Sequence, residues 1–285
     1  MLRVQTQALV LRSLNFGESD RIITLLGADV GKVSALARGA RRSVRRFTGL
    51  GSAALGLATL HERGGDLWSL EAFDVIKPRT ELALDLVTAA HAAYACELVE
   101  RLCASHQADA EIFVWLDQML DLLTQRPPAA ERLRAFELGL LQRLGLGLGI
   151  DRCEGCGRRD MAHTGGRWLP DAMVLLCAQC GTRGVVMDAA AVAALVRLTS
   201  VPLGEAEQHA LSAAVNRACR NLLAPFIEHH VGGPLKSLQF LIKLARGPAV
   251  STPARPSANH QPANKTAAPT TAGETNNQAS NKEPS

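Results

Sequence analysis

Hydrophobic and polar residues alternate along roughly the first 75 residues of the chain. Val4, Ala8 and Val10 share one face of a first strand, and four more short alternating runs follow it. The turn residues Gly64-Gly65-Asp66 predict a hairpin between the last two runs. Because a β-sandwich uses about seven strands or more, five strands over residues 1–78 predict a small OB-fold β-barrel that binds nucleic acid.

After Pro78 the apolar residues recur at the spacing of helices instead. A first helix is predicted over about 79–104, with Leu82, Leu86 and Leu98 on its apolar face. The "GLGLG" run at 145–149 follows a helical pattern, so it predicts a C-terminal cap and no phosphate loop. Further helices are predicted around 112–123, 133–144, 188–199, 205–230 with a kink at Pro225, and onward from Pro234.

These patterns predict an α+β multidomain protein. An α-helical domain occupies 79–150 and 186–247, and a cysteine-containing insertion of 151–185 interrupts it. Residues 248–285 are rich in Pro, Ala, Asn, Thr and Ser and contain no aromatic residue. Such a composition cannot bury enough apolar surface to offset the entropy of ordering, so we predict a disordered C-terminal tail.

The net charge of +4 is unevenly distributed along the chain. Residues 1–50 contain nine Lys and Arg against three Asp and Glu, whereas residues 79–150 contain six against ten. A basic first domain indicates an anionic partner, either a nucleic acid or an anionic membrane surface.

Most of this positive charge lies in the run "ARGARRSVRRF" at 37–47, which has five arginines and no acidic residue. The run lies between the third and fourth predicted strands, beside the face where OB-folds bind single strands. Phosphate contacts by arginine predict binding without sequence preference, and the alternative is a solvated loop without a partner. The predicted DNA-binding residues are Arg38, Arg41, Arg42, Arg45, Arg46 and Lys32, with Phe47 as a base-stacking candidate that could equally be buried.

Four cysteines form a C-x2-C pair at Cys153 and Cys156 and a second pair at Cys177 and Cys180. Two such pairs are typical of a closed, structural zinc site with four thiolate ligands. A redox pair would lie at the start of a helix in a βαβ unit, and disulfides are rare in reducing compartments. His163 lies between the pairs as an alternative ligand, although solvation is the more common state of a loop histidine. We therefore predict structural Zn²⁺.

No phosphate-binding P-loop motif, nucleophile-elbow motif or paired-carboxylate constellation is found in the sequence. We therefore expect a protein that is not an enzyme. The first residues do not match a signal peptide and no apolar run reaches about 20 residues, so we expect a cytoplasmic, nucleoid-associated protein without a membrane partner.

Three stretches resemble the RecO family of bacterial DNA recombination and repair mediators. They are "ALVLRSLNFGESDRIITLLGADVGKVSALARGARRS" (8–43), "LRAFELGLLQRLGLGLGIDRCEGCG" (133–157) and "GGPLKSLQFL" (232–241). The resemblance implies an N-terminal OB-fold, a helical domain and a zinc-finger-like insertion. It also implies binding and annealing of single- and double-stranded DNA, and, with RecR, loading of RecA onto DNA coated by single-strand DNA-binding protein.

The resemblance further implies a docking site for the acidic C-terminal tail of single-strand DNA-binding protein. An Arg of the family's "LRxFEL" helix contacts that tail, and Arg134 matches it here, with Arg132 beside it. Leu133 and Phe136 would supply an apolar groove for the tail. The chain departs from the family at Leu238, where a basic residue is expected. The alternative function is a zinc-containing OB-fold adaptor or regulatory protein that binds proteins instead of DNA.

Overall fold

The computed structural model describes residues 3–43, 46–47 and 49–245. Its first part is a closed barrel with the strand order β1-β2-β3-β5-β4, in which β3 and β5 are parallel and the other neighbours antiparallel. The strands are β1 (Arg3–Phe16), β2 (Asp20–Gly27), β3 (Gly31–Ala37), β4 (Leu55–His61) and β5 (Leu67–Lys77). The five predicted strands and the hairpin at Gly64-Gly65-Asp66 are confirmed.

The rest of the described chain is mainly helical. The helices are α1 (Leu86–Leu102), α2 (Ala110–Gln125), α3 (Ala130–Arg143), α4 (Met161–Thr164), α5 (Ala189–Thr199), α6 (Ala213–Val231) and α7 (Lys236–Ala245). Between α3 and α5 lies a three-stranded sheet in the order β7-β6-β8, which the sequence did not predict. Its strands are β6 (Gly166–Leu169), β7 (Val174–Leu176) and β8 (Val185–Met187). The predicted fold class, a barrel followed by a helical region with a cysteine insertion, is confirmed.

Two helix starts differ from the prediction because capping side chains set them. The predicted helix from 79 divides into a short 3₁₀ turn, Thr80–Ala83, and α1. Asp85 caps α1 by accepting a hydrogen bond from the Thr88 amide at 2.7 Å. Ser212 caps α6 in the same way, so α6 begins at Ala213 and not near 205. Pro225 lies within α6, as predicted.

The glycine run after α3 is a helix cap, as predicted. Gly145 has a positive φ of 72°. The Leu146 amide donates to the Leu141 carbonyl at 2.8 Å, and the Gly145 amide donates to the Gln142 carbonyl at 3.0 Å. These two bonds define a Schellman motif, which ends α3 and turns the chain towards the cysteines.

Two hydrophobic cores organise the molecule. One fills the barrel with residues such as Val10, Ile23 and Phe73. The other joins the helices, the small sheet and the outward-facing barrel residues Leu9 and Leu26. The barrel therefore packs against the helices with part of its outer wall. No helix in the described part of the chain is long and apolar enough to cross a membrane.

A partly buried ion cluster also joins the barrel to the helices. Arg79, which is buried, donates from Nη1 to the Ala53 carbonyl at 2.8 Å and from Nη2 to Asp121 of α2 at 2.7 Å. Lys77 Nζ lies 2.9 Å from Asp117 and 2.7 Å from Asp121. The end of β5 is thereby fixed to α2, which sets the orientation of the barrel.

Candidate nucleic-acid interface and metal centre

The arginine run forms a loop directly after β3, beside the turn between β1 and β2. Arg38, Arg41, Arg42 and Arg46 are all exposed, whereas Arg45 lies outside the described residues. Among the ion pairs of the residues that the structure describes, none involves these four arginines. The loop therefore presents positive charge without an ion pair to any acidic side chain that the structure describes. We call Arg38–Arg46 the arginine loop.

The turn between β1 and β2 holds the arginine loop in place. Asp20 accepts hydrogen bonds from the Gly39 amide at 2.8 Å and from the Ser19 hydroxyl at 2.9 Å. Arg41 donates from Nη1 to the carbonyls of Gly17 at 3.1 Å and Glu18 at 3.0 Å. The Gly39 hydrogen bond, followed by that of Ser19, lowers the pKa of Asp20 below its ordinary value of 3.8. Asp20 is thus a turn residue that shapes the loop.

Two residues predicted to bind DNA have other contacts. Phe47 is 5% exposed and belongs to the barrel core, with the Arg46 guanidinium 5.2 Å from its ring centroid. Burial of the ring in that core is the alternative that the sequence analysis left open for Phe47. Lys32 lies on β3, and its Nζ donates to the Glu100 carbonyl of α1 at 2.6 Å. It therefore faces the helices instead of the arginine loop.

Two residues near the loop were missed as binding candidates. Phe16, at the end of β1, is 52% exposed and immediately precedes the turn that Arg41 contacts. Arg21, on β2, pairs in register with Ala37, the last residue of β3. Both belong to the "FGESDR" stretch, whose close relation to the arginine loop follows from strand pairing and not from sequence distance.

The four cysteines converge as predicted. The sulfur atoms of Cys153, Cys156, Cys177 and Cys180 all lie within 4.8 Å of one another, and Cys156 Sγ lies 3.9 Å from Cys177 Sγ. Four sulfurs bound to a tetrahedral ion at about 2.3 Å would lie about 3.8 Å apart. The cluster is therefore compatible with a metal ion held by four thiolates. His163 is exposed and does not belong to it.

Backbone amides favour the thiolate form at part of the cluster. The hydrogen bond from the Cys180 amide, with that from the Gln179 amide, lowers the pKa of Cys177 to about 6. Hydrogen bonding to the Cys177 and Cys156 sulfurs raises the pKa of Cys180 to about 12, since a proton shared with a thiolate is retained. A divalent cation among the four sulfurs would favour deprotonation of all of them.

Close packing explains two glycines in the cysteine segments. A Cβ on Gly155 would lie 3.0 Å from Cys180 Cβ, and a Cβ on Gly181 would lie 2.9 Å from Leu176 Cβ. A larger residue at Gly155 would push the two cysteine pairs apart, and one at Gly181 would distort the segment of the second pair. Cys153 and Cys177 are buried in the helical core, so the cluster also anchors the insertion to the helices.

A groove lies where α1, α3, α6 and α7 meet, with a volume of about 190 Å³. We call it the α3 groove. Leu133 and Arg134 of α3 line it together with Arg220 of α6 and Leu238 and Leu241 of α7. Leu238 is buried, which explains an apolar residue at a position where a basic one was expected.

Arg134 is held by buried acidic and phenolic groups below the α3 groove. Its Nη1 lies 2.6 Å from Glu137 Oε2, and Tyr94 donates its hydroxyl to Glu137 Oε1 at 2.6 Å. Burial raises the pKa of Glu137, and burial with the Glu137 charge raises the pKa of Tyr94. Arg134 is therefore a charged residue fixed at the wall of an apolar groove.

The other two residues predicted for tail binding point elsewhere. Arg132 is fully buried, donates from Nη1 to the Pro127 carbonyl at 3.2 Å and pairs with Glu207. Phe136 is fully buried in the helical core. Both residues support the body of the protein, and neither lines the α3 groove.

Comparisons with known proteins cover nearly the whole described chain. Residues 1–79 match the family model described as Recombination protein O N terminal, and residues 83–239 match Recombination protein O C terminal. The boundary between the two matches falls beside the 3₁₀ turn at Thr80–Ala83, where the barrel gives way to the helices.

Relatives named DNA repair protein RecO extend over most of the chain. The protein of Anaeromyxobacter sp. (strain K) is 41% identical over 253 residues, which is 85% of this chain and 96% of the relative. The protein of Myxococcus xanthus (strain DK1622) is 35% identical over 86% of this chain and 99% of the relative. That of Geobacter sulfurreducens is 34% identical over 85% and 98%. Barrel, cysteine cluster and sequence agree, and the chain belongs to the RecO family of DNA repair proteins.

Proposed function

We propose that this protein binds single- and double-stranded DNA through the arginine loop and anneals complementary strands. The observation that carries the proposal is a set of exposed arginines, unpaired with any acidic side chain that the structure describes, on one end of a closed barrel. Arginine pairs with phosphate in a bidentate manner, and neutralising phosphates releases counterions, which drives binding. Two strands that share one basic surface repel each other less and meet at a higher local concentration.

As a mediator of this kind, the protein would work with RecR to load RecA onto DNA coated by single-strand DNA-binding protein. We infer that the acidic tail of that protein docks in the α3 groove. Arg220 offers a guanidinium group for carboxylates, the buried Arg134 adds positive charge at the groove, and Leu133, Leu238 and Leu241 offer an apolar wall. Such work takes place on the bacterial chromosome, which corresponds to a cytoplasmic, nucleoid-associated protein.

We further propose that the ion of the cysteine cluster is Zn²⁺ and that the protein is a mediator without catalytic activity. Zinc favours four thiolates in a tetrahedral arrangement, and the sulfur spacing supports this choice. A site of four thiolates has no open position for a reacting water or substrate, so the ion would support the fold.

A strand-annealing assay with fluorescently labelled complementary oligonucleotides tests the DNA proposal. Replacing Arg38, Arg41 and Arg42 together by Ala should slow annealing at both low and moderate salt. The matched control replaces Arg152, Arg159 and Arg183, three exposed arginines of the cysteine insertion, and should anneal at the wild-type rate. Annealing that survives in the loop variant at both salt concentrations would refute the proposal and favour a protein-binding adaptor.

The groove proposal has its own test. A fluorescent peptide with an acidic sequence and a C-terminal apolar residue should bind the wild-type protein. Arg134→Ala and Arg220→Ala should each weaken binding about tenfold or more, because a positive charge at the groove is lost. Thermal melts show whether Arg134→Ala, which leaves the buried Glu137 unpaired, is folded. Arg126→Ala, which removes an exposed arginine beyond the groove, should bind the peptide like the wild type. Equal affinity in all three variants would rule out the α3 groove as the docking site.

A further inference from the structure

The outer wall of the barrel changes from covered to exposed along its strands. At one end, Leu9 and Leu26 pack into the helical core. In the middle, Arg12 pairs with Glu100 of α1 at 3.0 Å. Beyond Arg12 the helices no longer cover the strands, and Leu14 and Phe16 are 46% and 52% exposed. Leu14 and Phe16 lie two residues apart on β1, and adjoining exposed apolar side chains are typical of an interaction surface.

Strand pairing extends this exposed surface across three strands. Leu14 of β1 lies opposite Ile22 of β2, and Ile22 lies opposite Leu36 of β3. Residues directly opposite each other point to the same face with Cβ atoms about 5 Å apart. Phe16 follows on the same face, two residues beyond Leu14. We call Leu14, Phe16, Ile22 and Leu36 the outer apolar patch.

The outer apolar patch is continuous with the arginine loop. Phe16 immediately precedes Gly17, whose carbonyl accepts a hydrogen bond from Arg41 at 3.1 Å. The Arg41 amide donates to the Ser19 carbonyl at 2.9 Å in the same turn. The Asp20 carboxylate in this turn already accepts bonds from Gly39 and Ser19. An occupant of this end of the barrel would therefore meet a cationic loop and an apolar face side by side.

We propose that the unstacked bases of single-stranded DNA lie on the outer apolar patch, with Phe16 as the stacking residue. A single strand has a polyanionic backbone for the arginine loop and flat apolar bases for the patch, so its chemistry matches both surfaces at once. In duplex DNA the faces of the bases are stacked on one another and unavailable. The patch therefore adds affinity for single strands alone, while the loop binds either form. This inference rests on the DNA binding proposed above.

The experiment measures equilibrium binding of Phe16→Ala by fluorescence anisotropy with three probes of about 16 nucleotides, a length sufficient for one OB-fold. The probes are oligo-dT, a duplex, and an abasic strand that keeps the phosphates and lacks the bases. Phe16→Ala should weaken oligo-dT binding about tenfold and leave duplex and abasic binding unchanged. Phe16→Trp should restore oligo-dT binding. Leu84→Ala, which removes an 86% exposed leucine from the helical part, should match the wild type with all probes.

Several results would overturn the inference. A similar loss with all three probes would mean that Phe16 shapes the loop and does not contact bases. Unchanged binding of every probe by Phe16→Ala would mean that the patch serves a protein partner or none. The loop variant at Arg38, Arg41 and Arg42 is measured in parallel. If it loses binding while Phe16→Ala does not, only this inference fails; if neither loses binding, the proposed DNA binding fails with it. Thermal melts show whether each variant is folded.

Discussion

The arginines of the arginine loop and the arginines of α3 have opposite environments. Arg38, Arg41, Arg42 and Arg46 are exposed, and the described acidic side chains form no ion pair with them. Arg132 and Arg134 are buried within α3, and each pairs with a carboxylate. Because a buried charge is costly unless it is paired, the ion pairs of the second group contribute to the stability of the fold, and Arg134 in addition lines the α3 groove. The first group contributes little to stability and remains available to an external anion.

Breaking a buried pair should give the largest effect. Glu137→Ala leaves Arg134 buried without its carboxylate and Tyr94 without its acceptor, so the free energy of unfolding should fall by about 3–5 kcal/mol. Urea unfolding followed by circular dichroism measures the change. Arg42→Ala in the arginine loop is the control and should unfold at the wild-type urea concentration. Equal stabilities of the two variants would contradict the distinction between the two groups of arginines.

Removing the metal should give the second-largest effect. It should lower the stability of the protein and leave DNA binding by the arginine loop intact. A chelator should lower stability by about 2.7 kcal/mol, if free metal had exceeded its Kd about a hundredfold. For a folded part of this size the melting temperature should fall by roughly 5–10 °C. Cys177→Ser should show the same lower melting temperature without chelator. DNA binding at low salt should persist at temperatures below the lowered melting point, since the arginine loop is on the barrel. Loss of DNA binding in parallel with the metal would show that the regions are not independent.

Substitution of Asp20, which anchors the arginine loop, should give the smallest effect. Asp20→Ala removes the acceptor for the Gly39 amide and should weaken DNA binding about threefold. Asp20→Asn keeps an oxygen acceptor and loses only the charge, so its DNA affinity should equal or exceed that of the wild type. Binding by Asp20→Asn as weak as that by Asp20→Ala would show that the carboxylate charge, and not the hydrogen bond, sets the loop.

The pKa of Asp20 predicts the pH range in which its hydrogen bond to the Gly39 amide is lost. Its folded pKa lies below the ordinary value of 3.8, so its contribution is present above pH 3.8 and disappears as pH falls through the lower folded value. Hydrogen exchange of the Gly39 amide should therefore be slower in the wild type than in Asp20→Ala at neutral pH. The two proteins should converge only in acid, below pH 3.8. Equal exchange rates of the Gly39 amide in the two proteins near neutral pH would contradict the role of Asp20 as an anchor.

Patterns that depend on neighbouring residues in the chain predicted the fold well. Alternation predicted five barrel strands, the glycine run predicted the cap of α3, and the two C-x2-C pairs predicted the convergence of four sulfurs. Each of these features is set by local geometry: the period of a strand, the positive φ of Gly145, and the short reach of a cysteine pair.

Features that depend on tertiary packing could not be predicted in this way. Phe47 and Phe16 are both phenylalanines near charged residues, yet one is in the barrel core and the other half exposed. Which face of a strand is covered depends on how the helices dock, and the sequence of the strand does not contain that information. The burial of Arg132 also depends on tertiary packing, since its partner Glu207 is distant in the chain. The sequence therefore did not predict it.

The central claim is that exposed arginines of the loop bind DNA through its phosphates, and salt dependence tests it most directly. The affinity of wild type and of the variant with Arg38, Arg41 and Arg42 replaced by Ala is measured for single-stranded DNA over a range of salt concentrations. Three lost phosphate contacts, at about 0.7 each, should reduce the slope of log affinity against log salt by about 2. The variant should also bind more weakly at low salt. An unchanged slope and affinity would contradict the account, because the loop would then make no phosphate contacts.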